Sequence, residues 1–347
     1  MVSEPAVPNL ESPIPNPEAG EAPLIFGRKH RSDSTSVQPQ PPQGGGGAST
    51  PVTTSPRIVA VQADPGVRPR DDELDLCGLT HRGKVRPDNQ DHYLLCTVHP
   101  QVVVHATSLG HLDRLPLRGT RLATMMMVAD GVGGGSAGGE ASQLAIETVA
   151  KYVSSTLRCY HAAGTSADQE FHAALRTAAL EAHAAVLAEA AKRPNQGRMA
   201  TTMTLGVAVW PNFYVVQVGD SRCYHYYDGE LQRLTRDQTM AQDLVDRGVL
   251  PAERVAESPL SNVLVGAIGG EEAAPEVTCL RIPRGTVLLL CSDGLTRHVS
   301  DAEIAEGCRT MRSSEQLCRD LLDLALERGG TDNITVVVGR APVRRDD

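Results

Sequence analysis

The sequence contains few aromatic residues and no long apolar segment. Aromatics make up only 3% of the 347 residues, although apolar residues as a whole reach 41%, so we expect a core built from Ala, Val, Leu and Ile. No apolar run approaches the ~18 residues of a membrane span. The first residues, MVSEPAVPNL, lack the basic and apolar regions of a signal peptide. We therefore expect a soluble, cytoplasmic protein that does not enter a membrane.

An excess of positive charge and paired cysteine motifs are also absent. The formal net charge is −9, which argues against a nucleic-acid-binding protein because such proteins usually carry a basic face. The eight cysteines include no CxxC pair, so their spacing suits neither a zinc ribbon nor a small disulfide scaffold. We expect buried, reduced thiols in a cytosolic protein.

Proline and glycine, by contrast, are concentrated near the N-terminus. Thirteen of the 23 prolines fall within the first 70 residues, together with the run Gly44–Gly47. Such a segment buries too little apolar surface to offset the conformational entropy that folding would cost. We predict a disordered tail over residues 1–72 and one domain over residues 73–342. The apolar island EAPLIFGRKHR, at 21–31, is interpreted as an incidental feature of the tail, with a docking peptide as the alternative.

From about Leu74 the sequence alternates between strand and helix patterns. Strands are predicted over 122–129, 286–292 and 333–339, and a four-stranded meander from TTMTLGVAVW to ELQRLT turns at Pro211-Asn212, Gly219-Asp220 and Asp228-Gly229. Helices are predicted over 140–158 and about 167–192, and from near Ser300 and Ser313, the last three with capping boxes. These elements predict an α+β fold in which two packed sheets are flanked by helices.

Five aspartates each stand at the end of a predicted strand, beside Gly, Ser or Asn. They are Asp91, Asp130, Asp220, Asp293 and Asp332. If the strand ends meet, these carboxylates repel one another unless a cation lies between them. Ligation by oxygen alone, without His or Cys, suits hard cations such as Mg²⁺ or Mn²⁺. Asp-Gly and Asp-Asn are also ordinary turn formers, which accounts for any one of the five sites but not for all of them together.

Seven motifs cover roughly residues 75–340. They are GKVRPDNQD, VADGVGGGSAGGEAS, RMATTMTLGVAVW, VGDSRCYHYYDGELQRLTRDQ, SNVLVGAIGG, LLLCSDGL and GGTDNITVVV. Their order and spacing resemble the metal-dependent protein phosphatase family (PPM, type 2C Ser/Thr phosphatases), in particular its bacterial branch. The resemblance implies an αββα sandwich of two antiparallel sheets flanked by helix pairs, which agrees with the predicted order of elements.

The resemblance also implies roles for the acids. Asp130 matches the carboxylate that bridges two metal ions, one of which also binds the backbone carbonyl of Gly131. Asp293 and Asp332 match direct ligands of the second ion, and Asp91 matches the acid that holds a metal-bound water. The implied cofactors are two Mn²⁺ or Mg²⁺ ions per active site.

Two further positions complete the implied site. Asp220, together with Asp293, matches a third and weaker metal site. Arg86 matches the arginine that grips the substrate phosphate, and its planar fork of donors suits a bidentate phosphate contact. Gln90 stands where many relatives have Glu, which leaves one negative charge fewer near the metals.

The chain departs from the family pattern at three positions that hold His in some or many relatives. They are Val132, Gly135 and Gln238. Some relatives are proposed to protonate the leaving group through the His at the first of these positions. Here, leaving-group protonation must come from water or from another group.

Together these roles imply hydrolysis of phosphoserine and phosphothreonine in proteins by a water that two metal ions activate. We expect a monomer that opposes a Ser/Thr protein kinase in a bacterium-like cytoplasm and binds no nucleic acid. The alternative from another class is a catalytically weak regulatory module, which binds a phosphoprotein without efficient turnover.

Three segments have other interpretations. The Gly-rich run 131–139 resembles a phosphate cradle, but no GKS or GKT lysine follows it. The insertion 99–121 is interpreted as an elongated hairpin between two early strands, with a partner surface as the alternative. Residues 238–274 correspond to the mobile flap of the family, and we expect substrate selectivity to arise there.

Overall fold

A computed structural model describes residues 57–59, 65–108, 111, 117–163, 168–193, 197–255 and 257–343. The chain divides into Met1–Val52 and Thr53–Asp347, and all described residues belong to the second unit. The predicted apolar island 21–31 and most of the predicted tail lie outside the described residues.

Strands and helices occur in the order that the sequence predicts. The strands are β1 (Arg57–Val59), β2 (Asp75–His81), β3 (His92–Val98), β4 (Ala123–Ala129), β5 (Gly131–Gly133), β6 (Met199–Thr201), β7 (Met203–Val209), β8 (Asn212–Val218), β9 (Arg222–Tyr227), β10 (Glu230–Arg233), β11 (Glu276–Arg281), β12 (Val287–Cys291) and β13 (Ile334–Arg340). The α-helices are α1 (Ala137–Ala163), α2 (Asp168–Ala191), α3 (Met240–Asp246), α4 (Asp293–Thr296), α5 (Asp301–Thr310) and α6 (Ser314–Glu327).

Two sheets make up the centre of the fold. One has six strands in the order β1-β11-β8-β7-β4-β3, and the other has five in the order β10-β9-β12-β13-β2. All neighbours in both sheets are antiparallel except β1, which pairs parallel with β11 at an edge. The helices α1 and α2 pack on the six-stranded sheet, and α5 and α6 pack on the five-stranded one. The predicted α+β class and αββα arrangement are confirmed.

The core alternates along the strands, as the pleat requires. On β4, Met126 and Val128 face the other sheet, whereas Met125 and Met127 face α1 and α2. Between the sheets, Phe213 is fully buried beside aliphatic side chains. Burial of each such side chain stabilises the fold by about 1.5–3 kcal/mol. Because aromatic residues are scarce, methionine as well as the aliphatic residues fills the core.

The helix starts confirm one capping box and correct another. At α5, Ser300 Oγ accepts from the backbone N–H of Glu303, whose carboxylate accepts in return from the N–H of Ser300. At α6, Ser313 Oγ accepts from the N–H of Gln316 at 3.1 Å. The Gln316 side chain accepts instead from the N–H of Arg312, so the predicted box there is only half formed. The capping residue predicted for α2, Ser166, lies outside the described residues.

The predicted four-stranded meander is wrong at its middle turn. β7 with β8 and β9 with β10 form antiparallel hairpins, but β8 and β9 belong to different sheets. The turn at Gly219-Asp220 carries the chain from one sheet to the other. Gly219 has φ +100°, and a Cβ there would lie 2.8 Å from Thr202 Cγ2, so the crossover requires glycine.

The insertion between β3 and β4 continues the antiparallel pairing of these two strands beyond their ends. Gln101 and Arg118 form an antiparallel bridge, and the N–H of Val102 donates to Leu117 O at 2.8 Å. These contacts agree with the elongated hairpin, although residues 109, 110 and 112–116 lie outside the described part. None of the helices in the described ranges has the length and apolar character that a bilayer span requires.

Candidate metal centre and phosphate site

A cavity of about 650 Å³ opens at the end of the sandwich where the predicted aspartates lie. Its lining includes six of the seven predicted site residues: Arg86, Asp130, Gly131, Asp220, Asp293 and Asp332. The seventh, Asp91, is only 3% exposed and interacts electrostatically with Asp293 and Asp332. The structure therefore brings together side chains that are up to 246 residues apart in the sequence.

The antiparallel topology explains this convergence. Asp130 follows β4 and Asp91 precedes β3, so the β3–β4 pairing places both at one sheet end. Asp293 follows β12 and Asp332 precedes β13, which is paired with β12 in the other sheet. Asp220 lies in the crossover between the sheets. Each carboxylate is thus fixed by a strand end, which is a more rigid support than a loop tip.

Gly131 fits its position only because it has no side chain. A Cβ there would lie 2.3 Å from Gly138 O and 2.7 Å from Gln90 O. The backbone of Asp130 is held firmly, since its N–H donates to Thr202 Oγ1 at 3.0 Å and its carbonyl accepts from the N–H of Thr202 at 2.9 Å. The DG dipeptide is therefore part of a close-packed turn at the cavity.

Asp130 experiences the strongest accumulation of negative charge. Burial raises the pKa of its carboxyl well above the ordinary range, and the charges of the other four aspartates raise it further. The four are Asp91, Asp293, Asp220 and Asp332. Removal of Asp220 from water, with repulsion from Asp293 and Asp237, raises its pKa to about 8. Such shifts indicate carboxylates that need a positive charge between them.

Asp91 is held by two hydroxyl groups. Its Oδ2 accepts from Ser292 Oγ and from Thr335 Oγ1, each at 2.7 Å. These bonds favour the ionised form, but burial outweighs them and raises the pKa of Asp91 to about 7. The other oxygen, Oδ1, is buried without a hydrogen-bond partner among the described residues.

The donor set fits a hard cation. Asp293 Oδ1, like Asp91 Oδ1, is buried without a partner in the described part of the chain, and such an oxygen is costly unless a cation or water satisfies it. No group of three or more His, Cys, Asp or Glu side chains among the described residues could hold a metal ion unaided. Ions such as Mg²⁺ retain several waters and use few carboxylates, so water would have to complete the ligand set.

Arg86 reaches the cavity from the loop before Asp91. Its Nη2 donates to Asp332 Oδ2 at 2.8 Å, and 53% of its side chain is exposed. The hydrogen bond and the charge of Asp332 raise the pKa of Arg86, so it is a permanent cation. An exposed guanidinium at the rim of an acidic cavity is available to an incoming anion.

Asn333, which sequence reasoning did not single out, organises this loop. Its Nδ2 donates to Arg82 O and Asp88 O, each at 2.9 Å, and its Oδ1 accepts from the N–H of Gln90 at 2.8 Å. One side chain thus fixes the backbone on both sides of Arg86. The TDN motif includes this position, but only the fold shows that the Asn333 amide contacts the segment around the motif GKVRPDNQD.

The three departures from the family pattern lie in different surroundings. Val132 and Gly135 line the cavity, and neither carries a proton to donate. Gln238 is 4% exposed and has a structural role: its Oε1 accepts from the N–H of Gly219 at 2.9 Å, and its Nε2 donates to Ala274 O at 3.0 Å. It therefore joins the crossover turn to the end of the predicted flap.

Two arginines at the cavity were missed from the sequence, whereas the flap residues beside them lie in the segment 238–274 that the sequence analysis singled out. Arg198 and Arg297 line the cavity, as do Asn262, Val263 and Leu264 from the predicted flap. The spacing of Arg297, four residues after Asp293, is the pattern that could have revealed it, because side chains at i and i+4 meet on a helical turn. No local pattern marks Arg198.

Comparisons with known proteins match most of the chain to one family. Residues 113–328 match the family model of protein phosphatase 2C. The chain is 36% identical over 216 residues to the serine/threonine protein phosphatase PstP of Mycobacterium tuberculosis, covering 62% of this chain and 40% of that relative. It is 30% identical over 261 residues to the serine/threonine phosphatase stp of Listeria welshimeri, covering 75% of this chain and 92% of the relative.

Solved structures show the same fold. The crystal structure of PstP/Ppp from M. tuberculosis has a TM-score of 0.62 and 30% identity, covering 78% of this chain and 99% of that one. The catalytic domain of PstP in complex with two manganese ions has a TM-score of 0.59, 30% identity and the same coverage. This chain belongs to the protein phosphatase 2C family, as its motifs predicted. It spans only 40% of the full length of PstP.

Proposed function

We propose that this chain hydrolyses phosphoserine and phosphothreonine in proteins with the help of two Mn²⁺ or Mg²⁺ ions. The observation that carries the proposal is the convergence of four predicted aspartates in the lining of one cavity with a fifth, Asp91, buried beside them, and two of the five have a buried oxygen that lacks a partner among the described residues. Membership in the family and the manganese-bound structure of PstP support the same choice.

The residues of this chain divide the work as follows. Asp130, the Gly131 carbonyl, Asp293 and Asp332 would hold the ions. When bound, the ions supply Lewis acidity, which lowers the pKa of water and neutralises charge on phosphoryl oxygens. Asp91 would accept a hydrogen bond from the attacking water through Oδ1.

Arg86 would hold the phosphate at the rim. Its fork of donors can contact two phosphoryl oxygens at once, which aligns the ester for in-line attack. Val263 and Leu264, from the segment 238–274, would contact the residues around the phosphorylated side chain, and selectivity would arise there.

A peptide assay tests the proposal. Purified protein should release phosphate from a phosphothreonine peptide with Mn²⁺ present, and EDTA should abolish the release. A protein that binds the phosphopeptide but does not turn it over with Mn²⁺ or Mg²⁺ would instead be the regulatory module. Selectivity for phosphotyrosine would contradict both.

The cellular context is part of the same proposal. A monomer in the cytoplasm would remove phosphate that a Ser/Thr protein kinase attaches, and the names of the relatives support this class of substrate. Light scattering on a sizing column should give the mass of one chain, and a dimer would contradict the monomer.

A further inference from the structure

Arg297 places a guanidinium within the acidic cluster. Its Nε donates to Asp293 Oδ2 at 3.0 Å, and its Nη2 bonds to the same oxygen. Its Nη1 lies 3.6 Å from Asp332 Oδ2. The contact has a local cause. Asp293 is the first residue of α4, and Arg297, four residues further on, directly follows the last residue of this short helix, so the two side chains meet on one helical turn. One arginine thus contacts two of the five carboxylates.

Asp220 belongs to the same group of charges. Burial lowers the pKa of Arg297, but the charge and hydrogen bond of Asp293 and the charges of Asp332 and Asp220 more than offset this effect. In return, the charge of Arg297 partly opposes the burial and the Asp293 repulsion that raise the pKa of Asp220. The guanidinium therefore lies within electrostatic reach of three acids.

Arg86 and Arg297 occupy different positions. Arg86 contacts Asp332 and has 53% of its side chain exposed, whereas Arg297 contacts Asp293 and has 32% exposed. The two oxygens of Asp293 are also unlike each other: Oδ2 accepts from Arg297, and Oδ1 is buried without a partner among the described residues. One oxygen of Asp293 is therefore left for a metal ion, and the other is already neutralised.

We propose that Arg297 is a built-in cation of this centre, which limits the acidic cluster to two divalent ions. By holding Asp293 Oδ2, it takes the place that a further ion between Asp220 and Asp293 would need. This inference rests on the proposed function, since it concerns the ions of the same site. Arg297 acts through Asp293 and is thus a positioning residue.

A Mn²⁺ titration followed by electron paramagnetic resonance of the free ion tests the inference. Wild-type protein should bind two ions. Arg297→Gln and Arg297→Met should bind one more ion, at least ~10-fold more tightly than any further binding to wild type, because the repulsion between the guanidinium and that ion is lost. Arg297→Lys, which keeps the charge, should restore two.

Two matched variants make the result specific. Arg309→Gln removes a positive charge from a surface pair with Glu306 on α5, and it should still bind two ions. Asp220→Asn added to Arg297→Gln should remove the extra ion, because that ion would need both carboxylates.

The outcomes separate this inference from the function. If wild-type protein binds three ions, or if both neutral Arg297 variants bind two with unchanged or weaker affinity, the inference is wrong and the function stands. If wild-type protein binds no Mn²⁺, the proposed function fails and the inference fails with it. Thermal melting of each variant shows whether the fold is intact.

Discussion

At the scale of single residues, charge repulsion around Asp130 links metal binding to stability. Four other aspartates raise the pKa of this carboxyl, in addition to the effect of burial. A cation that binds the folded chain and not the unfolded one relieves the repulsion and stabilises the fold by mass action. Removing one charge from the cluster should therefore have opposite effects on stability and activity.

Asp130→Asn tests this expectation. In EDTA the variant should melt higher than wild type, by roughly 2–4 °C for each kcal/mol of repulsion removed. With Mn²⁺ present it should lose phosphatase turnover by more than ~100-fold, beyond what outer-shell changes cost. Asp228→Asn, in the exposed turn between β9 and β10, is the matched control and should change neither property. A variant that melts lower than wild type in EDTA would contradict the electrostatic account.

His225 predicts a pH dependence that is independent of the metal centre. It is 5% exposed, and burial lowers its pKa from the ordinary 6.5 to about 4. Between these values the unfolded chain binds the proton and the folded chain does not, so this contribution to stability is lost as pH falls from 6.5 to 4. The loss should reach about 3 kcal/mol at most.

The comparison that isolates this effect is His225→Leu against wild type. Denaturant unfolding between these pH values should show a flatter pH profile for the variant, and His105→Gln, an exposed control, should follow wild type. Burial raises the pKa values of Asp91 and Asp220, so their contributions to stability increase as pH falls, opposite to that of His225. The effect of His225 is therefore the difference between the unfolding free energies of wild type and His225→Leu at each pH. Identical slopes would show that His225 is not buried as a neutral ring.

The sequence allowed the acids to be predicted but not the groups that surround them. An aspartate at a strand end, beside Gly or Asn, is visible without a structure. Arg198 has no such local pattern, and the role of Asn333, although it stands in the TDN motif, depends on partners at Arg82, Asp88 and Gln90. Arg297 was detectable in principle from its spacing to Asp293, but the same spacing is common in ordinary surface pairs.

At the scale of elements, Gln238 joins the crossover turn to the predicted flap. Its side chain bonds the backbone of Gly219 and of Ala274, and its own backbone carbonyl accepts from the N–H of Val265 at 2.9 Å. The position of Asp220 and the course of the segment 238–274 are therefore coupled through one buried amide.

Gln238→Ala should loosen both elements at once. Leaving the N–H of Gly219 without its acceptor should cost about 1–3 kcal/mol of unfolding free energy. Hydrogen exchange should accelerate at 219–220 and at 260–274, and KM for a phosphopeptide should rise more than kcat falls. Gln232→Ala, on the exposed edge strand β10, should change none of these. Faster exchange confined to one of the two segments would contradict the coupling.

Elements marked by a local sequence pattern were predicted correctly. The prediction failed where it depended on pairing between strands that are distant in the sequence. The buried strands β4, β12 and β13 were predicted from short apolar runs, α1 from its apolar face and α2 from a capping box before a helical sequence. The assignment of β8 and β9 to different sheets was missed, because a Gly-Asp turn reads the same in a hairpin and in a crossover. Only the pairing of β9 with β12 distinguishes the two.

At the scale of the whole molecule, residues before the predicted domain start contact the sandwich. Buried Arg121 pairs with Asp71 at 2.5 Å and donates from Nη2 to Pro69 O at 2.7 Å. β1 adds an edge strand to the six-stranded sheet. The domain boundary at 73 remains a prediction, and these contacts favour an earlier start.

Two truncations distinguish the boundaries. A chain that starts at Thr53 should keep the melting temperature and peptide turnover of the full chain. A chain that starts at Glu73 lacks β1 and leaves buried Arg121 without Asp71 and the Pro69 carbonyl, and it should lose about 1–3 kcal/mol or more, the usual cost of leaving a buried polar group without its partner. Equal stability of the two truncations would support the boundary at 73 instead.

The most direct test of the central claim is a crystal structure of the protein grown with Mn²⁺, with anomalous data collected at the manganese edge. The account predicts two strong anomalous peaks within the cavity, both in contact with Asp130, and Asp293 and Asp332 as ligands of one of them. The absence of peaks beside Asp130, or peaks held by other residues, would contradict it.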